Sequence, residues 1–355
     1  MTQFKIHCLD KYHLKNQNLL AGLIPKKYFT DNLKEAVDID QPLFIYTSGL
    51  QPQIDLELFH YRKNKKTFLL IDYAYESGIS NSVYDSLVQK IVELGVNKKQ
   101  ILVVLNCSAE QTFQKNTNII FCDLFAISSV ARYKHNSKLA NVYPLAELPN
   151  KVNLLLGKLD KKPRLSLIET FRNTVPESKS LVSLLGFPSA PIPDDFKSYI
   201  ENNQGPLDTA EVLDTNEGKS SQGWGSSAVY EKSSVSLVCE THQHNDLPFL
   251  TEKTFRPIIN AHPFVILAGC KPLEHLKELG FKTFDRVIDE SYENLSCNNL
   301  GKLEQVVTQS IKLLENKEHV QEIVDHNKNH LLTHGERQMA LLLEALTKRS
   351  IEDNG

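Results

Sequence analysis

The chain has 355 residues, which is long for one domain and natural for two, each large enough to bury its own core. Its formal net charge of −3 excludes a global basic field that would capture nucleic acid or an anionic membrane, and leaves room only for a local basic patch. Its six cysteines show no CxxC spacing, so we expect a reduced protein of the cytosolic type.

Membrane association is not indicated by the sequence. No apolar run approaches the roughly 18 residues that a spanning helix needs, and the first residues contain no long apolar core. We therefore expect a soluble protein without a membrane span, located in the cytoplasm.

The amino-terminal half alternates apolar strands with helical segments. Between the strands, residues 82–95 carry apolar side chains at helical spacing and end in a glycine. The alternation predicts a doubly wound α/β domain over residues 1–155. The predicted strands are short, apolar and mostly free of charge, as in a buried parallel sheet, and comprise 43–46, 68–72, 101–106 and 119–122.

A second domain is predicted over residues 156–355. The polar stretch 151–163 is interpreted as the connection to it, and a helix is predicted at 165–173. Residues 186–226 are irregular and rich in proline and glycine, which is typical of a functional or mobile loop. Later elements are a helix with a glycine stop at 271–280, a strand at 281–284, and two or three amphipathic helices within 301–348.

The most informative segment is a βαβ-like unit between these regions. An apolar strand, 236–240, ends in Glu240, a Thr-Glu-Lys turn opens a helix, and a second apolar strand runs over 263–269. Such units bind ligands at the carboxyl ends of their strands. Lys253 and Arg256 lie three residues apart near the helix start, where free backbone N–H groups already favour an anion. The segment therefore predicts a diphosphate site.

These motifs resemble the donor-binding segment of GT-B glycosyltransferases of the α-1,3-fucosyltransferase type, and more closely the glycosyltransferase-like proteins of tailed phages and large viruses. In that family a Phe-Glu-Asn-like triplet precedes a Tyr-Val-Thr-Glu-Lys-like turn and a Val-Pro-Val-like strand. Here the triplet is Cys239-Glu240-Thr241, the turn is 249–253, and the second strand starts at Pro263. The match covers roughly residues 233–292, about a sixth of the chain.

The resemblance implies two Rossmann-like domains facing a cleft, with carboxyl-terminal helices that pack back across it. It implies an enzyme that moves a sugar from a nucleotide-diphosphate donor to an acceptor hydroxyl, with inversion and without a metal or other cofactor. The second domain would hold the donor and the first the acceptor. The acceptor is open between a glycan, a lipid, a protein and a modified nucleobase, and the acidic charge balance argues mildly against DNA.

Three motif residues receive roles from the resemblance. Lys253 would neutralise the leaving phosphates, and its alternative is a solvated helix lysine. Glu252 would accept hydrogen bonds from the ribose hydroxyls, or would only place a negative charge at a helix start. Glu240 would contact the transferred sugar, or would be an exposed carboxylate at a strand end.

Further donor-site candidates flank these three. Thr251 is predicted mainly as the N-cap of the helix. Arg256 would bind phosphate or lie on the surface, and Pro257 is expected to kink the helix or end its first turn. Arg164 resembles the family's phosphate-binding arginine and suits a diphosphate with its guanidinium fork, although a basic linker is the alternative.

The catalytic base would be a carboxylate of the first domain. The candidates are Glu76 and Asp72, which follow a buried strand in a loop whose Gly78 lets the backbone approach a ligand. Either carboxylate could instead cap a following turn. A metal site is not predicted, because Asp38-Ile-Asp40 lies in a polar loop and His242 and His244 lack a remote partner ligand.

The rival interpretation is a non-catalytic α/β nucleotide-binding protein, in which Glu252 and Lys253 hold a phosphate but no base activates an acceptor. An interaction protein is the other alternative, in which the Thr-Glu-Lys turn is coincidental.

Overall fold

The computed structural model describes residues 4–8, 28–30, 33–38, 40–48, 66–72, 81–106, 118–135, 144–156, 162–184, 228–240, 248–296 and 299–352. The chain forms two compact units. The first comprises residues 1–131 together with 333–355, and the second comprises residues 132–332. The sequence predicted a single boundary after residue 155, with the whole of 156–355 in the second domain.

The first unit contains a six-stranded sheet in which every paired strand is parallel, in the order β2-β1-β3-β4-β5-β6. The four predicted strands are confirmed as β3 to β6, whereas β1 and β2 were not predicted. The strands are β1 (Lys5–Cys8), β2 (Phe29–Thr30), β3 (Leu43–Ser48), β4 (Thr67–Asp72), β5 (Ile101–Leu105) and β6 (Ile119–Phe121). The helices are α1 (Leu33–Asp38), α2 (Asn81–Glu93) and α3 (Leu124–His135).

Both faces of this sheet are buried, because successive side chains of a strand point to opposite faces. Along β4, Phe68 and Leu70 belong to one apolar cluster and Leu69 and Ile71 to another. The second cluster includes residues of α2, and the first includes Leu342 and other residues near the end of the chain. This double burial explains why the strands read as continuous apolar runs.

The second unit contains a four-stranded parallel sheet in the order β10-β9-β7-β8. The strands are β7 (Val152–Leu156), β8 (Ser180–Leu184), β9 (Val235–Cys239) and β10 (Phe264–Leu267). The helices are α4 (Lys162–Thr174), α5 (Ala228–Glu231), α6 (Glu252–Ile259), α7 (Pro272–Glu278), α8 (Leu300–Glu315) and α9 (Gln321–Glu352), the last of which ends in the first unit.

The two sheets share one winding pattern. In each, the first and second strands are neighbours and the third lies on the other side of the first, which is the flavodoxin-like order of doubly wound folds. The protein is therefore a Rossmann-like α/β protein with two parallel sheets and carboxyl-terminal helices. Each sheet has a topological switch point, between β1 and β3 in the first and between β7 and β9 in the second.

The predicted linker at 151–163 is wrong. Its first residues form β7, which pairs with both β8 and β9 and lies inside the second sheet. Its polar appearance came from residues 158–163, which follow β7 in the sequence. Asn153 is buried, and its amide donates to the hydroxyls of Ser233 and Ser236 at 2.9 Å each. A polar residue therefore occupies a core strand because its hydrogen bonds are satisfied.

The predicted strand at 281–284 is also wrong. The amide of Asn327, on α9, accepts from Lys282 N and donates to Lys282 O, both at 2.8 Å, and so replaces a neighbouring strand. Phe284 N donates to Glu290 Oε1 at 2.8 Å. The phenylalanines nevertheless remain buried, which is why the segment resembles a strand in sequence.

The carboxyl-terminal region contains two helices, α8 and the 32-residue α9, as the amphipathic pattern predicted. Across the described ranges, no helix combines the length and apolar character needed to cross a membrane. The predicted loop at 186–226 lies outside the described residues.

Candidate functional site

The candidate site lies at the switch point of the second sheet, where ligands bind in doubly wound folds. Strands β7 and β9 are neighbours there, and each leads to a helix. Arg164 lies in the first turn of α4, which follows β7, and Glu240 directly follows β9. Helix α6, which carries Lys253 and Arg256, begins at the same edge because Glu240 is hydrogen-bonded to its first turn. Residues far apart in sequence therefore meet at one sheet edge.

Glu240 is fully buried, so the interpretation of an exposed carboxylate is wrong. Its Oε1 accepts from Thr251 N at 2.9 Å and from Thr254 Oγ1 at 2.6 Å, and its Oε2 accepts from Thr251 Oγ1 at 2.6 Å. A carboxylate enclosed by these donors fixes the start of α6 to the end of β9. The sequence analysis missed Thr254, although two threonines one helical turn apart after a strand-end carboxylate are a usable signal.

Thr251 is the N-cap of α6, as predicted, and its Oγ1 accepts from Lys253 N at 3.3 Å. Because the single hydroxyl hydrogen goes to Glu240, the lone pairs of Oγ1 are directed toward Lys253. The Lys253 ammonium lies 3.3 Å from this oxygen. The buried carboxylate is thus connected to the ammonium through one hydroxyl.

Lys253 and Glu252 form an ion pair, with Nζ 2.6 Å from Oε1, and their side chains are 25% and 21% exposed. Burial of Glu252 disfavours its charge, but the Lys253 ammonium, its hydrogen bond and the nearby Arg256 guanidinium outweigh burial and lower the pKa of Glu252. Glu252 is therefore ionised at neutral pH, and Lys253 is not a solvated helix lysine.

The predicted free N–H groups at the start of α6 already have acceptors. Thr251 N donates to Glu240 and Lys253 N donates to Thr251 Oγ1. Thr254 N donates to Thr251 O at 3.1 Å. An incoming anion therefore has to replace an acceptor that belongs to the protein.

Arg256 lies in the same helix and is only 8% exposed, so it is not a surface residue. Helix α6 continues past Pro257 to Ile259, and the prediction that Pro257 ends the first turn is wrong. Its side chains from Thr254 to Ile259 are buried, so packing holds the helix where proline removes a hydrogen bond.

Arg164 is 3% exposed within α4, so the interpretation as a basic linker is wrong. Its guanidinium lies close enough to the Cys239 thiol to lower the pKa of that thiol. Burial raises the pKa of Cys239 to about 11, although Arg164 opposes this shift, so the thiol stays protonated at neutral pH. The sequence analysis missed this contact because the two residues belong to different βα units.

Lys302 is a second residue at this edge that the sequence analysis missed. It is fully buried in α8, and its ammonium donates to Ala268 O, just after β10, at 3.1 Å and to Leu295 O at 2.9 Å. It therefore fixes the backbone that leaves β10. A lysine on an amphipathic helix carries no sequence signal for such a position.

Of the two candidate catalytic bases, Asp72 is among the described residues and Glu76 is not. Asp72, the last residue of β4, is 3% exposed, and its Oδ2 accepts from Tyr46 Oη at 2.6 Å. Its side chain serves a hydrogen bond inside the first unit. Glu76 lies outside the described residues.

Among the described residues, no group of three or more His, Cys, Asp or Glu side chains could hold a metal ion. His242 and His244 fall outside those ranges. Cys122, Cys239 and Cys270 form no disulfide with any described residue.

The chain was also compared with known proteins. No protein-family model matches it, and no curated protein matches it.

Proposed function

We propose that this protein is a glycosyltransferase of the GT-B type that binds a nucleotide-diphosphate sugar at the switch point of its second sheet. One observation carries the proposal: Arg164 and Lys253 lie in the first turns of α4 and α6, the helices that follow β7 and β9, and Arg256 lies one turn further along α6. Two phosphates bridging two helix starts use both helix dipoles and the guanidinium forks. A single phosphate would engage only one of them.

The proposed reaction is a direct displacement at the anomeric carbon. The acceptor oxygen forms a bond to that carbon while the bond to the donor phosphate oxygen breaks. The nucleoside diphosphate leaves with the bonding electron pair, and the acceptor proton passes to a base. Lys253 and Arg164 would stabilise the charge that develops on the leaving diphosphate.

The architecture supports this proposal. The fucosyltransferase resemblance implies two Rossmann-like domains and a carboxyl-terminal helix that returns to the first domain, and the chain has two parallel Rossmann-like sheets and a terminal helix whose end belongs to the first unit. Glu240 and the start of α6, which carry the motif acid and lysine, lie at the carboxyl edge of the second sheet, and Pro263 directly precedes β10. Fold alone does not assign function, so the cations at this edge carry the argument.

A non-catalytic nucleotide-binding protein is the second candidate, and the enclosure of Asp72 favours it. A base must reach the acceptor proton, whereas Asp72 is buried and engaged by Tyr46. The glycosyltransferase proposal therefore depends on Glu76 as the base. The acceptor would be a glycan, a lipid, a protein or a modified nucleobase.

Nucleotide binding is tested by a thermal-shift panel of UDP, GDP, CMP, ADP and dTDP. A ligand at a hundred times its Kd stabilises the native state by about 2.7 kcal/mol. We expect one nucleoside diphosphate to stabilise the wild type and not Lys253→Ala. Lys277→Ala is the matched control. Lys277 lies on the neighbouring helix α7 and forms ion pairs with Asp285 and Glu290, which follow that helix. If no nucleotide raises the unfolding temperature of the folded wild type, the donor assignment is wrong.

Catalysis is tested separately with the nucleotide-diphosphate sugar that the panel selects. Release of nucleoside diphosphate that disappears in Glu76→Gln, while binding survives, supports the glycosyltransferase. Binding without any turnover of the donor supports the non-catalytic candidate.

A further inference from the structure

The carboxylate of Glu252 occupies the place where an anion is expected to bind at the start of α6. It accepts from the Lys253 ammonium at 2.6 Å, and Arg256 lies close enough to lower its pKa. These donors are the groups that a phosphate would use. The positive charge of Lys253 is therefore already paired with a carboxylate that the protein supplies.

The geometry of Lys253 shows that this contact lies over the end of the helix. Consecutive side chains of an α-helix point in different directions and do not normally meet. Here the Lys253 side chain folds back toward the N-cap, since its ammonium also lies 3.3 Å from Thr251 Oγ1. The two opposite charges therefore meet at the helix terminus, where the positive end of the dipole is strongest.

A diphosphate must displace this carboxylate to reach Lys253. The displaced carboxylate then needs new donors, because an unpaired charge in a half-buried position is costly. A nucleoside diphosphate brings ribose hydroxyls, which donate hydrogen bonds to a carboxylate. Inorganic pyrophosphate brings the same phosphates and no ribose hydroxyls.

We infer that Glu252 determines specificity, by excluding free phosphate and pyrophosphate from the Lys253 site and admitting phosphates that are linked to a ribose. This inference rests on the proposed donor site and assigns its selection to one residue. It also distinguishes two roles of Glu252, the exclusion of pyrophosphate and the binding of ribose. A residue that only binds ribose would leave pyrophosphate affinity unchanged when it is removed.

The test is isothermal titration calorimetry of wild type and Glu252→Gln with two probes, inorganic pyrophosphate and the nucleoside diphosphate selected by the panel. In Glu252→Gln, pyrophosphate should bind about tenfold more tightly, since a charge-assisted competitor is gone. The nucleoside diphosphate should bind no more tightly than to wild type. Glu274→Gln is the matched control, because Glu274 pairs with Lys271 at the start of α7 at 2.6 Å. It should change neither affinity.

The outcomes separate the inference from the proposed function. A gain for pyrophosphate in Glu252→Gln supports the inference, and unchanged or weaker pyrophosphate binding overturns it. A wild type that binds no nucleoside diphosphate ends the donor proposal, and the pyrophosphate titration then still decides whether Glu252 holds the anion position. A general loss of structure would lower the unfolding midpoint and weaken both probes together, which also counts against the inference.

Discussion

Tyr46 donates its hydroxyl hydrogen to Asp72 Oδ2 across 2.6 Å, between adjacent strands of the first sheet. In the register of these strands Tyr46 pairs with Leu70 and Asp72 with Ser48, so the contact runs diagonally over one face. Both residues are almost fully buried. The Asp72 carboxylate therefore holds a buried hydrogen bond at the end of β4.

Tyr46→Phe should therefore destabilise the protein. The substitution takes a donor from a buried carboxylate, and the free energy of unfolding should fall by about 1–3 kcal/mol. Urea denaturation measures this as a lower midpoint with an unchanged slope. Asp72→Asn should cost less, since the amide oxygen still accepts from Tyr46. Equal stability of Tyr46→Phe and wild type would show that the contact does not contribute.

Glu240→Gln should be among the more destabilising single substitutions of the second unit. A glutamine amide offers one oxygen acceptor in place of two, so a buried threonine donor loses its partner, at about 2–3 kcal/mol. Glu274→Gln, at an exposed helix start, should stay within about 0.5 kcal/mol of wild type. The comparison uses chemical denaturation of both variants, and similar losses in the two would contradict the role assigned to Glu240.

Arg164→Gln should weaken binding of the nucleoside diphosphate by about tenfold or more, because a charge-assisted hydrogen bond to phosphate contributes at least 1.4 kcal/mol. Arg172→Gln, in the last turn of the same helix α4, should leave the affinity unchanged. Calorimetric titration of both variants measures the difference. Equal affinities would remove Arg164 from the site.

Protonation of His262 should make stability depend on pH. The imidazole is buried, and burial lowers its pKa from 6.5 to about 4. Its Nδ1 lies 2.9 Å from Ser236 Oγ and its Nε2 lies 3.0 Å from Ser233 O, which satisfies the neutral ring. Because the unfolded chain binds the proton more readily, this contribution is fully present above pH 6.5 and is lost as the pH falls toward 4.

The loss should amount to about 3 kcal/mol across that pH range. Denaturant titrations at pH 7, 5.5 and 4 should show this loss of unfolding free energy in wild type. In His262→Gln the unfolding free energy should depend less on pH. His319→Gln is the control, since His319 is exposed. If the stability of His262→Gln depended on pH as strongly as that of wild type, other groups would be responsible.

Two glycines with left-handed backbones should respond differently to alanine. Gly95 has φ of 97° and nothing within 4 Å of an added Cβ, so Gly95→Ala should cost only about 1 kcal/mol of backbone strain. At Gly280, φ is 92° and the added Cβ would lie 2.8 Å from His330 Cε1. His330 would have to move and lose its 2.8 Å contact with Leu279 O.

Gly280→Ala should therefore cost at least about 1–3 kcal/mol more than Gly95→Ala, since overpacking adds to strain. Thermal unfolding of the two variants side by side measures the difference. Comparable midpoints would mean that His330 moves without cost.

The sequence by itself determined the class of fold and the location of the site's helix. Strands buried on both faces must be apolar throughout, so β3 to β6, β9 and β10 were visible as apolar runs. Thr251 was predictable as an N-cap because capping depends on a side chain and backbone N–H groups only a few residues away. These features are local, and local physics acts on neighbours in the chain.

Only the tertiary structure decided which residues meet at the candidate site. The partners that satisfy Asn153 inside β7 lie about 80 residues away. The burial of Glu240, the contact of Arg164 with Cys239 and the replacement of a strand at 281–284 by Asn327 likewise depend on distant segments. A polar side chain can occupy a core only where the fold supplies its hydrogen-bonding partners, and no local pattern encodes where those partners will be.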